Sequence, residues 1–154
     1  VPVLVIDELK AKRDCEPETA GERIYRQYGL TGARGEAASG LAMVMQHALP
    51  AYQACLTKGA STEQALWHTL LVLMANNNDS NLVSRGGLAG LHFVQEQAQQ
   101  LLAKGGFLYQ EIEQALTALD SVLIEKHLSP GGSADLLAAT WLIYELVQLF
   151  KVRH

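Results

Sequence analysis

The chain has 154 residues, 49% hydrophobic and 18% charged, with a net charge of −4. This length suits one compact domain able to bury about 70% of the surface its unfolded chain exposes, and the apolar fraction excludes wholesale disorder. Twelve Lys and Arg against sixteen Asp and Glu speak against a general nucleic-acid binder.

The opening run Val1–Ile6 is apolar, but no basic segment or small-residue cleavage site accompanies it. It lacks an initiating Met and reads as the start of a chain cut from something longer. Cys15 and Cys55 are too few for a disulfide scaffold and read as two free thiols of a cytoplasmic protein.

The first predicted helix spans Thr19 to Tyr28, opened by the capping pair Thr19 and Glu22 and stopped at Gly29. The second runs from Leu41 to Lys58, with Pro50 imposing a kink or break and Gly59 as its stop. Ser61 and Gln64 form a further capping box, opening a helix through Leu66, Leu70, Leu73 and Met74. Gly87 to Lys104 carries Leu88, Leu91, Val94, Ala98, Leu101 and Leu102 on one face, and Tyr109 to Lys126 carries Ile112, Leu116, Leu119 and Leu123. The last helix starts near Ser133, with Leu137, Trp141, Tyr144 and Leu149 as its stripe. Its apolar stretch, Leu136 to Phe150, is interrupted by Glu145 and Gln148 and falls short of the ~20 residues a bilayer needs. The expectation is a single all-α domain, a bundle of about six or seven helices with glycine-rich loops at helix N-termini.

Three connections are not bland. Gly29 to Gly40 holds four glycines with Arg34, Gly35 and Glu36; Asn76 to Gly87 holds Asp79, Asn81, Arg85 and Gly86; Ser129 to Asp135 reads S-P-G-G-S-A-D. Glycine lets backbone approach a ligand closely, and helix N-termini favour anions. A carboxylate beside such a site suits a cation bridging to phosphate. Each loop also has a plainer reading. Gly131–Gly132 before Ser133 is a turn and an N-cap, Asn76 to Asp79 a solvated loop, and Arg34 with Glu36 a surface ion pair. Taken together they point to a phosphate-bearing substrate. The absence of Lys from all three excludes a P-loop. The five histidines lack zinc spacing, Ser39 and Ser133 sit in no nucleophile elbow, and Trp67, Trp141, Met43 and Met45 read as core.

The strings YGLTGARGEAASG, NDSNLVSRGGLAGL and LSPGGSADLLAATW resemble the triphosphoribosyl-dephospho-coenzyme A synthase family over roughly Thr19 to Leu146. Members are all-helical and make the prosthetic-group precursor of citrate lyase or malonate decarboxylase. They are about twice as long, and their N-terminal motifs, T-P-K-P-G-L-V-D-like and N-T-H-K-G-like, do not occur in this chain. It therefore resembles the C-terminal half of such an enzyme.

The resemblance implies transfer of the triphosphoribosyl group of ATP to the ribose 2′-hydroxyl of 3′-dephospho-CoA, with release of adenine. It implies ATP contacts from Arg34, Gly35, Asn81, Arg85, Gly86, Gly87, Ser129, Gly131, Gly132 and Ser133. Asp79 and Asp135 are then candidate Mg²⁺ ligands, and Glu36 the candidate general base with Asp79 as its rival. Expected partners are ATP, dephospho-CoA and either a second copy or the missing half, with no nucleic acid or membrane. The competing readings are an inactive helical interaction module and a Mg²⁺-dependent phosphohydrolase.

Overall fold

The computed structural model describes residues 39–153, which are helical with no strand among them. The predicted helix at Thr19 to Tyr28, Cys15, and the loop residues Arg34, Gly35 and Glu36 lie outside the described residues. Helical turns at 39–43 lead into a π-helical segment, Val44–Ala48, and then α1, Leu49–Thr57. No break occurs at Pro50. Its missing N–H and bulky ring are absorbed by the wider π turn just before it, in which Leu49 N–H reaches back to Val44 O. Gly59 (φ +94°) ends the helix as expected.

The helix α2, Thr62–Asn76, opens with the predicted capping box: Gln64 N–H donates to Ser61 Oγ at 3.1 Å and Ser61 N–H donates to Gln64 Oε1 at 2.9 Å. It is the central helix, with buried residues around its circumference and packing against α1, α3 and α5. The helix α3 runs Ser80–Ala103, bent at Gly87. A 3₁₀ turn, Gly106–Leu108, precedes α4, Ile112–Glu125, and the last helix is α5, Gly131–Arg153. Two apolar clusters hold the bundle. The larger joins Leu71, Met74, Leu82, Leu91, Val94, Ile112, Leu119, Leu123 and Leu128; the smaller joins Tyr52, Cys55 and Ala65 with Phe107 and Tyr144.

The helices alternate in direction. Consequently the residues before α1, the α2–α3 connection and the α4–α5 connection meet at one end of the bundle. Contacts at that end confirm it: Asp79 bonds to Ser133, Gly86 abuts Leu128 and Gly40 abuts Leu136.

The stripe expected on α5 is corrected. The fully buried positions are Ser133 and Thr140, whose hydroxyl returns to Leu136 O at 2.7 Å, whereas Trp141 and Leu149 are 44% and 52% exposed. Met45 is likewise exposed rather than core. The helix is apolar on every side, so periodicity does not choose its buried face. Its 23 residues also outrun the apolar stretch read from sequence, and by length and composition alone Gly131–Val152 is long and apolar enough to cross a membrane.

Candidate functional site

The α2–α3 connection is only residues 77–79. The loop expected to reach Gly87 is already helical from Ser80, because Asp79 starts the helix. Asp79 sits in extended conformation (φ −66°, ψ 113°) and its Oδ1 accepts Asn81 N–H at 2.9 Å, an N-cap. Its Oδ2 accepts both the backbone N–H of Ser133, at 2.9 Å, and the Ser133 hydroxyl, at 3.3 Å. One carboxylate thus serves the N-termini of α3 and α5, where two partially positive helix ends meet. Asp79 and Ser133 are both wholly buried.

Glycine makes this approach possible. A Cβ on Gly132 would stand 3.0–3.2 Å from the Asp79 carboxyl atoms, and one on Gly131 only 2.7 Å from Asn81 Nδ2. Asn77, read from sequence as part of a solvated run, is buried; its amide donates to Ser133 Oγ at 3.5 Å, and Gln95 Nε2 donates to Asn77 O at 3.1 Å. Nothing in the one-dimensional pattern separates Asn77 from its neighbours Asn76 and Asn78.

The Gly86–Gly87 pair splits into two roles. The expected helix start there is a bend inside α3. Gly87 adopts φ +66°, ψ −168°, a region open essentially to glycine alone, and the helix resumes after it. Gly86 and Gly90 instead leave room for Leu128, whose Cδ2 would lie 2.6 and 3.1 Å from a Cβ at those positions. Leu128 follows His127, a non-glycine residue at φ +56° that turns the chain out of α4.

Around this buried layer lies an exposed polar one. Asn81 and Arg85, four residues apart on one face of α3, are exposed, as are Ser129 and Asp135. Arg85 makes no hydrogen bond or ion pair with another described residue. Among the described residues no group of three or more His, Cys, Asp or Glu side chains is placed to hold a metal ion.

Beside the polar layer opens a cleft of about 900 Å³ between α2 and α4, ending at Ser129 and Pro130. On α2, one residue past the cleft-lining Trp67, His68 Nδ1 accepts Phe107 N–H at 3.2 Å. Burial, helped by the positive charge of Lys58, holds the His68 pKa below its ordinary value. The ring is a neutral acceptor that caps the 3₁₀ turn.

Residues 4–154 match the family described as ATP:dephospho-CoA triphosphoribosyl transferase. The chain is 60% identical over 146 residues to a probable 2-(5''-triphosphoribosyl)-3'-dephosphocoenzyme-A synthase of Photobacterium profundum, covering 95% of this chain and 46% of the relative. It is 61% identical over 126 residues to the synthase of that name from Pectobacterium atrosepticum (82% and 40% covered). To the probable synthase of Citrobacter koseri it is 46% identical over 149 residues (97% and 48% covered). The chain spans about half the length of the curated relatives it matches. No solved structure matches it.

Proposed function

The chain belongs to the ATP:dephospho-CoA triphosphoribosyl transferase family, and on that premise we propose that it carries the triphosphate-binding part of an enzyme that transfers the triphosphoribosyl group of ATP to 3′-dephospho-CoA. The observation that supports this reading most is the meeting of two glycine motifs, far apart in sequence, through Asp79 and Ser133 at paired helix N-termini. Asp79 itself takes the donors buried there, so an anion of high charge is met by the exposed groups around them, Arg85, Asn81 and Ser129.

In the reaction the ribose 2′-hydroxyl oxygen of dephospho-CoA bonds to C1′ of the ATP ribose while the C1′–N bond to adenine breaks. The hydroxyl proton passes to a base and adenine leaves with a proton of its own. Arg85, with Asn81 and Ser129 beside it on the polar rim, grips the triphosphate as a planar fork, and Arg34 supplies a second such fork. Glu36 takes the hydroxyl proton. Asp79 acts as a positioning residue rather than as base or metal ligand, because both its oxygens already accept hydrogen bonds and it has no exposure. Mg²⁺, when bound with ATP, supplies charge neutralisation. Asp79 does not fit it, which leaves exposed Asp135 as the one candidate ligand of the two. Gly86 and Gly87 shape α3 instead of donating to phosphate. A reaction drawing on ATP and dephospho-CoA belongs to the cytoplasm.

A second reading, a helical module that works only with a partner half or copy, is favoured by the exposed Trp141, Leu142, Leu146, Leu149 and Phe150 on α5. One experiment separates the two. The chain is incubated with ATP, Mg²⁺ and 3′-dephospho-CoA, and free adenine is sought by chromatography. Adenine that requires dephospho-CoA supports transfer by this chain. No adenine here, but adenine after adding the N-terminal half of a relative, supports the module. Phosphate without adenine from either would sink both in favour of a phosphohydrolase.

A further inference from the structure

The cleft between α2 and α4 has a direction. Both helices run toward the end of the bundle that holds Asp79 and Ser133, and along α2 the lining extends from Glu63 to Met74, a rise of about 16 Å at 1.5 Å per residue. Its walls are apolar, with Trp67 and Leu70 on the α2 side and Leu116 and Leu123 on the α4 side. Among the described residues, the charged ones that line it, Glu63, Glu113 and Asp120, are all carboxylates and all exposed, and no Lys or Arg lines it. At its inner end stands Ser129, whose Oγ lies 3.9 Å from where a Gly131 Cβ would be, on the same glycine that Asn81 overlies. Cleft and polar rim therefore share a wall.

Carboxylates along an apolar groove repel phosphate and leave uncharged chains unhindered. The groove is also too long for a single purine, and it points away from the end where the polar groups gather. We propose that the cleft binds the pantetheine arm of dephospho-CoA, an extended uncharged chain of amides, methyl groups and a terminal thiol, while the pyrophosphate of that substrate stays at the Asn81–Gly131 end. The identity of the arm rests on the proposed function; the polarity of the groove does not. This orientation keeps the reacting ribose at the helix N-termini and sends the unreactive thiol end toward Glu63 and Glu113.

The test reads binding without turnover. The chain has two tryptophans, so Trp141→Phe, a change at an exposed position of α5, leaves Trp67 as the sole reporter. Titration with D-pantetheine is expected to change Trp67 emission saturably, adenosine at the same concentrations is not, and 3′-dephospho-CoA displaces pantetheine. Thr117→Phe, on an exposed lining position, narrows the cleft and is expected to raise the apparent Kd for pantetheine tenfold or more with an unchanged melting midpoint. A flat pantetheine titration overturns the proposal, and so does a saturable response to adenosine, which would make the cleft a purine site. The Trp141→Phe titration alone decides should Thr117→Phe fail to fold. Pantetheine binding with no adenine release, with or without the N-terminal half of a relative, would sink the transferase reading and leave the cleft assignment standing; adenine release with a flat titration does the reverse.

Discussion

Ser133 gives both its backbone N–H and its hydroxyl to one oxygen, Asp79 Oδ2, at 2.9 and 3.3 Å, across a sequence separation of 54 residues. The other oxygen caps α3. A single side chain therefore sets the relative position of two helix N-termini and of the polar groups they carry.

Asp79→Ala removes the cap and leaves the Ser133 donors buried without their acceptor, a loss of about 2–4 kcal/mol. Asp79→Asn keeps one oxygen but turns an NH₂ group toward a donor, so about 1–2 kcal/mol is expected. Urea unfolding of the two variants ranks them. Equal losses would mean that the negative charge, and not the number of accepting oxygens, holds the two helix ends.

Gly86 and Gly87 are adjacent yet should respond differently to alanine. At Gly86 the new methyl meets Leu128 Cδ2, costing about 1–3 kcal/mol of overpacking, and Leu128→Ala in the same chain should recover part of it. At Gly87 a Cβ meets nothing within 4 Å. The cost there is conformational, about 1–3 kcal/mol, and Leu128→Ala should recover none. A double-mutant cycle in thermal or urea unfolding distinguishes the two; coupling at Gly87 would contradict the assignment.

The hydrogen bond from Phe107 N–H to His68 requires an unprotonated ring nitrogen. The folded pKa is depressed, so the unfolded chain, titrating near pH 6.5, takes up the proton first. Stability from this residue is fully present above about pH 6.5 and is lost as pH falls through the lower folded pKa. Unfolding midpoints of the native chain and His68→Gln, followed from about pH 7.5 to 5, should converge on acidification. Parallel curves would show that His68 does not titrate with folding.

On the polar rim, Arg85→Lys replaces a planar fork with a point charge and should weaken ATP binding about tenfold in calorimetry. Unchanged affinity removes Arg85 from the triphosphate site. Glu36→Gln should reduce adenine release about a hundredfold or more while ATP still binds; lost binding with normal turnover at saturation makes Glu36 a positioning residue.

Much of the fold was legible because its signals are local. The Ser61–Gln64 box, the Gly59 stop and the buried face Leu91, Val94, Ala98 and Leu101 of α3 each depend on residues three or four apart. The π turn before Pro50 was not legible: sequence says that proline disturbs a helix, while the surrounding packing decides whether the helix breaks or widens. On α5 the pattern failed for a different reason. With apolar residues on all sides, periodicity does not mark its buried face, which holds Ser133, tied to Asp79 on α3's N-cap, and Thr140.

By itself the sequence determined the helical class, most helix ends and the glycine-motif strings that mark the family, since all are written in residues close along the chain. Tertiary structure decided what those motifs do. Asp79 looked like a free carboxylate beside an anion site and is a buried acceptor for two helices. Gly86 looked like a phosphate-binding amide and is a seat for Leu128. Such roles depend on which distant helix end arrives opposite, and that is set by the packing of α2, α3 and α5 rather than by any local propensity.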